Sequence, residues 1–184
     1  MKVFDAISRN VAVREFQSKE LRIQDTLRIL EAGRMCQSGK NLQPWHFVLI
    51  RRRETLNKLA ELMKGDLDEN IVRKAPVAIA IVTDPASETD ILDAGRAAQN
   101  MTLAAWELGI GSCFMSGPEG NARVSYRKKA AGLLGIPERF EFQHLMVFGY
   151  LRIEHKARRR RRKPLREIAS ENRFGQPIIA TSRK

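Results

Sequence analysis

The 184-residue sequence predicts an α+β protein, and three observations carry that expectation. The run Val77-Ala78-Ile79-Ala80-Ile81-Val82 is continuously apolar and rich in β-branched residues, the pattern of a strand buried on both faces. The stretch from Glu88 to Leu108 can form one long helix, and its second half, Ala97 to Trp106, is apolar over most of its circumference. Around these two, shorter segments switch between β-rich runs and helical periodicity. The length fits one domain, and 43% hydrophobic residues are enough for a real core.

In chain order, Val3 to Ser8 suits a short helix. Leu21 to Met35 is an amphipathic helix with Ile23, Leu27 and Leu30 on its apolar side, Ala32 beside them, and Ser18 as the N-cap. Gln37 to Asn41 is a polar loop containing Gly39. Trp45 to Ile50 is a strand, and Arg53 to Met63 a helix with Leu56, Leu59, Ala60 and Met63 on one side. Pro76 to Val82 is the buried strand. The long helix is expected to be capped by Ser87, with Asp90 in the capping-box position. Small residues at Ala94, Gly95, Ala98, Ala104 and Ala105 let another helix approach closely. In so short a chain, a helix covered on all sides calls for a second subunit.

Gly109 ends that helix, and Gly111 to Met115 is a short strand. Ala122 to Leu134 is a helix stopped by Gly135, with Pro137 beyond. Phe142 to Tyr150 is a strand. A short helix follows at Leu165 to Ser170, then an extended end, Pro177-Ile178-Ile179-Ala180. Residues 1–184 read as one domain in which 151–184 form a basic arm.

Charge is the dominant compositional feature: 33 Lys and Arg against 21 Asp and Glu, a formal +12. Such an excess attracts anions, whether nucleic acid, acidic lipid or a phosphorylated cofactor. It peaks at Arg158-Arg159-Arg160-Arg161-Arg162-Lys163, which by itself suits a solvated tail. No stretch approaches the ~20 apolar residues of a membrane span, and the start, Met1-Lys2-Val3-Phe4-Asp5, lacks the apolar core of a signal peptide. A cytoplasmic location is expected. Cys36 and Cys113 form no CxxC pair and are expected to be free thiols. No GxSxG, HExxH, P-loop or GxGxxG is present, and His46, His144 and His155 are scattered like structural or surface residues. Neither a hydrolase nor a metal site is indicated.

Several segments in order resemble the nitroreductase family. Ala6-Ile7-Ser8-Arg9-Asn10-Val11-Ala12-Val13-Arg14-Glu15-Phe16 is similar to its opening AIxxRRSVRxF. Leu30-Glu31-Ala32-Gly33-Arg34, with Ser38-Gly39-Lys40-Asn41-Leu42-Gln43-Pro44-Trp45-His46-Phe47, resembles EAxxxAPSxxNxQPWxF, the most specific match. Asp93 to Met101, continuing through Trp106 to Gly109-Ile110-Gly111-Ser112-Cys113, looks like the central dimer helix and the turn after it. Leu134-Gly135-Ile136-Pro137 with Phe148-Gly149-Tyr150 is similar to LGIPE…GYP, and Arg160-Arg161-Arg162-Lys163-Pro164-Leu165 to the closing KxRxPL.

The resemblance implies a mixed, mainly antiparallel sheet flanked by helices, a homodimer with exchanged C-terminal arms, and FMN as cofactor. It implies hydride transfer from NAD(P)H to a small nitroaromatic, quinone or similar acceptor by a ping-pong mechanism, with the flavin rather than a side chain as the reactive group. It places Arg9, Asn10, Arg14, Arg160 and Arg162 toward the cofactor, its phosphate above all, where guanidinium forks suit a phosphate. Arg14 would stabilise the charge that reduction puts on the N1/C2 side of the ring. Ser38, Gly39 and Asn41 would come from the other subunit, with Gln43 in the same motif. Backbone at Gly111 and Ser112 would approach the ring near N5. The chain also departs from the family: aligned on Phe16, the expected Arg-Arg/His-Ser falls on Asn10, Val11 and Ala12, and Gln37 stands where proline is common. Two other expectations compete: a flavin-binding or flavin-transforming protein that reduces no free substrate, and a basic nucleic-acid-binding protein using Arg158 to Lys163. The second has no aromatic residue interleaved with its charge.

Overall fold

The computed structural model describes residues 3–152 and 161–178. Four strands form one sheet in the order β1-β2-β4-β3: β1 (Trp45–Ile50), β2 (Val77–Thr83), β3 (Ile110–Met115) and β4 (Glu141–Tyr150). Every pairing within it is antiparallel. The parallel element is an isolated bridge between Ala12 and Ser112.

The sheet is the middle of three layers. All seven residues of β2 are buried. Val77, Ile79 and Ile81 face a cluster with Met101, Met146 and Phe148, under α2 (Ile23–Arg34) and α5 (Asp90–Glu107). Ala78, Ala80 and Val82 face the other cluster, with Leu56, Leu59, Met63, Val72 and Ala130, under α3 (Arg53–Glu61), α4 (Leu67–Lys74) and α6 (Asn121–Leu134). This two-sided cover is why β2 is apolar without alternation. Two short helices, α1 (Val3–Arg9) and α7 (Leu165–Ile168), lie outside the layers. Among the described residues no helix is long and apolar enough to cross a membrane.

Three sequence expectations need correction. The helix α2 turns a different side inward: it buries Asp25, Thr26, Ile29 and Gly33, whereas Ile23 and Leu27 are 37% and 55% exposed. Gly33 decides this, because a Cβ there would collide with the Met101 side chain of α5. Asp25 is tolerated inside because Arg22 Nε donates to it at 2.8 Å and Tyr150 Oη at 2.9 Å. Counting apolar residues misses such a satisfied carboxylate. Neither predicted cap forms: α2 follows Arg22, not Ser18, and α5 follows Thr89, with no side-chain cap bond at either. Asp90 instead accepts from Thr83 Oγ1 at 2.7 Å, tying α5 to β2. The helix α4 was not anticipated, because its apolar content is small; its N-cap Asp66 accepts from Asp68 N at 2.9 Å. In the single chain α5 leaves Ile91 and Leu92 of its first half 61% and 56% exposed, which leaves the expected cover by a second subunit untouched.

The N-terminal segment after α1 lies along β3 and β4. Val13 N donates to Ser112 O at 2.8 Å and Gln17 N to Tyr150 O at 3.0 Å. Two glycines directly opposite each other, Gly111 and Gly149, make room for it. A Cβ on Gly111 would lie 2.7 Å from Val13 Cβ, and one on Gly149 2.6 Å from Phe16 Cβ. At the tail, residues 176–178 form no strand within the chain, while Ile179 and Ala180 lie outside the described residues.

Candidate functional site

The N-terminal segment, α5 and the β3–β4 edge enclose a pocket of about 560 Å³. Its wall takes Ile7 from α1, Asn10, Val11 and Ala12 from the segment, and Gly95, Ala98, Gln99 and Thr102 from α5. Ser112 and Phe114 come from β3, His144 from β4, and Arg162 from beyond the sheet. The spacing explains the set. Gly95, Ala98, Gln99 and Thr102 recur at helical intervals, so they share one side of α5. Ser112 and Phe114 are two apart on β3, and His144 shares the sheet face of Met146 and Phe148 on β4.

Three candidates from the sequence meet here: Asn10, Ser112 and Arg162. Arg162 is the one cation of the wall among the described residues. Arg9 and Arg14 are exposed and off the wall, and Arg160 lies outside the described residues. Gly111 is also off the wall, and Val13 takes the space a Cβ there would need.

Ser38, Gly39, Asn41 and Gln43 form a separate loop, pinned from α5. The Asp93 carboxylate is fully buried. It accepts from Gly39 N at 3.2 Å, Thr89 Oγ1 at 2.8 Å and Arg96 Nη1 at 2.9 Å. Ser38 Oγ accepts from Gln43 N at 3.0 Å. Lys40, Asn41 and Gln43 all have positive φ, at 50°, 56° and 49°. Three such residues in a row of four make a strained loop, the kind that surrounding bonds must hold in place. Asp93, which has no evident partner in the sequence, is that anchor.

His144 is the wall residue sequence reasoning passed over. It is half-buried, with its ring 4.6 Å from that of Phe114. Burial pushes its pKa down from 6.5 to about 4, and the nearby Arg127 and Arg123 of α6 push the same way. The imidazole is therefore uncharged at neutral pH. The unfolded chain takes up this proton as the pH falls below about 6.5, while the folded one resists it until about 4. Stability is expected to fall across that window, and the contribution vanishes above it. Urea unfolding at pH 7 and pH 5 checks this: His144→Phe should lose less stability between the two than the native chain, and an equal loss would contradict it. The signal for His144 in the sequence was its two-residue spacing from Met146 and Phe148, on the face opposite Leu145 and Val147.

Neither cysteine is in a disulfide among the described residues; Cys113 is buried and Cys36 partly so. Trp45 is half-buried and stacked at 6.5 Å on Phe47, outside the pocket wall. Among the described residues no group of His, Cys, Asp and Glu could hold a metal ion.

The sequence pattern of the nitroreductase family matches residues 7–74 and 66–150 of this chain. A protein of Archaeoglobus fulgidus named for NADH dehydrogenase/NAD(P)H nitroreductase is 32% identical over 145 residues, covering 76% of this chain and 79% of that one. Among solved structures, an FMN-dependent nitroreductase from Clostridium difficile R20291 has a TM-score of 0.82 at 25% identity, covering 93% of this chain and 99% of its own. The NADPH:FMN oxidoreductase of Vibrio harveyi, solved with NAD+, shares the fold with a TM-score of 0.77 at 21% identity, covering 96% of this chain and 79% of that one.

Proposed function

Because this chain belongs to the nitroreductase family, we propose that its pocket is half of a flavin site in an FMN-dependent oxidoreductase that carries hydride from NAD(P)H to a small acceptor. One observation supports this most. The pocket draws Asn10 from one end of the sequence and Arg162 from the other onto a wall that also carries an aromatic pair. Its volume of about 560 Å³ lies within the roughly 300–1,000 Å³ range of cofactor sites.

The donor set fits a phosphorylated flavin. The Arg162 guanidinium suits a phosphate, and the Asn10 amide and Ser112 hydroxyl can donate to polar oxygens. Gly95 and Ala98 keep the α5 wall low, leaving room for a bulky ligand. Bound FMN supplies the hydride-accepting centre, so no side chain of the chain has to act as nucleophile, acid or base. The chain's residues bind, orient and exclude water. Arg14 is the proposed cation for the ring's N1/C2 side, acting from beyond the wall described above. One open face serves donor and acceptor in turn, a ping-pong order with a nitroaromatic or quinone as acceptor.

The second half of the site is assigned to a second copy, whose Ser38, Gly39, Asn41 and Gln43 would face the flavin. Apolar side chains left exposed in the single chain support a dimer: Phe4 at 84%, Ile91 at 61%, Leu165 at 69% and Phe174 at 105%. The basic arm 151–184 would wrap that partner. Truncation after Leu165 is expected to give monomer or aggregate in light scattering; a well-behaved dimer retaining flavin would remove the arm from the account. Anaerobic addition of NAD(P)H should bleach the flavin, and a quinone or nitroaromatic should restore it. A yellow protein that neither bleaches nor reoxidises would favour a flavin-binding protein without reductase activity.

A further inference from the structure

We propose that the Phe114–His144 pair is the ring-recognition end of the pocket, and that His144 is a specificity-determining residue hydrogen-bonding the polar edge of the planar heteroaromatic group bound there. This rests on the flavin reading above.

The wall has two chemically different ends. At one, Ala12 bridges to Ser112, with Asn10 and Val11 beside them: small, polar and aliphatic groups with no aromatic surface. At the other stand Phe114 and His144, their rings 4.6 Å apart at an interplanar angle of 52°. Ser112 pairs with Phe148, four residues along β4 from His144, so His144 stands roughly 13 Å and Phe114 roughly 7 Å from Ser112 at strand rise. A ligand with a flat head finds aromatic surface for that head at one end only. Aromatic surface is where a flat ring packs, and Phe114 is 45% exposed in the single chain, so its face is available.

The imidazole adds what the phenyl ring lacks. Among the described residues no hydrogen bond engages either ring nitrogen of His144, although its neighbours on α6 are occupied. Arg127 Nη2 donates to Gln143 O at 3.2 Å and Arg123 Nε to Pro118 O at 3.3 Å. An uncharged imidazole offers one donor and one acceptor. The pyrimidine edge of an isoalloxazine carries both kinds of partner. Because burial and the two arginines keep His144 uncharged, it does not compete for the phosphate.

The test uses full-length apoprotein with FMN and riboflavin, following flavin fluorescence, the visible spectrum and the carbon-bound ring protons of His144 by NMR. His144→Leu is expected to weaken FMN and riboflavin alike, by roughly tenfold, the size of one lost hydrogen bond. His144→Gln, which keeps a donor and an acceptor, should recover most of the loss. Arg162→Ala should weaken FMN and leave riboflavin nearly unchanged. Native protein should show the His144 ring protons shifting on riboflavin binding. Flavin binding with unmoved His144 signals, or equal affinities in native protein and His144→Leu, would overturn the assignment while leaving the flavin reading intact. Native protein that binds neither flavin would overturn both.

Discussion

Gly149→Val is expected to destabilise the domain by about 3 kcal/mol and to lift the N-terminal segment off the sheet. The reason is geometric. Even the first added carbon would sit 2.6 Å from Cβ, Cγ and Cδ1 of Phe16. These are the base of that side chain rather than a mobile end, so relief requires moving backbone. The same holds for Gly111→Val, whose Cβ would meet Val13 Cβ at 2.7 Å, and Val13 is fully buried. Since Asn10, Val11 and Ala12 of that segment wall the pocket, both variants should also lose ligand binding beyond what partial unfolding explains. Gly132 of α6 is the control, because a Cβ there meets nothing within 4 Å. Gly132→Ala should be neutral or stabilising by up to about 1 kcal/mol. Urea unfolding of the three variants checks this. If Gly149→Val unfolds with the native midpoint, the N-terminal segment is not packed as described.

Asp93→Ala should have the next largest effect, about 2 kcal/mol, and should act on the loop 38–43 as well as on α5. The carboxylate is fully buried, and removing it leaves Gly39 N and Thr89 Oγ1 without their acceptor. Arg96 loses least, because its side chain is 45% exposed and water can replace the ion pair. The loop loses more. Its backbone holds Lys40, Asn41 and Gln43 at positive φ, and without the anchor at Gly39 those residues can relax toward ordinary conformations. Cleavage after Lys40 by a limiting amount of trypsin should therefore accelerate more in Asp93→Ala than in Asp90→Ala, whose carboxylate bonds Thr83 and Gln143 instead. Equal cleavage rates would mean that the loop is held by something other than Asp93. If this loop faces flavin in a second copy, Asp93→Ala should also weaken flavin binding without touching any wall residue.

Much of this architecture was legible because the sheet core is apolar without interruption. Trp45 to Ile50 and Phe142 to Tyr150 match β1 and β4 within a residue, and Gly135 stops α6 with φ 66° as its position suggested. Caps were less legible. Ser18 and Ser87 have the right chemistry, but the first turns of α2 and α5 are tied instead through Asp25 to Tyr150 and through Asp90 to Gln143, which are long-range bonds. Local pattern cannot see a partner 125 or 53 residues away. The inward side of α2 was missed for a related reason: a glycine and a paired aspartate face in, so the apolar count points elsewhere. Asn10, Ser112 and Arg162, which share one pocket wall, stood out in the sequence because a motif carried their positions. His144 belongs to no motif and shows itself only through its place on the β4 face, beside Phe114. Gly111, which the motif also carries, has in addition a packing reason, the room it leaves for Val13.

The central claim is that this chain builds a site for a phosphorylated flavin, and calorimetric titration of the full-length apoprotein with FMN tests it most directly. The account predicts a saturable exothermic isotherm in the micromolar range or tighter, with stoichiometry of one flavin per chain and a yellow protein after gel filtration. A colourless protein that gives no heat with FMN would contradict it.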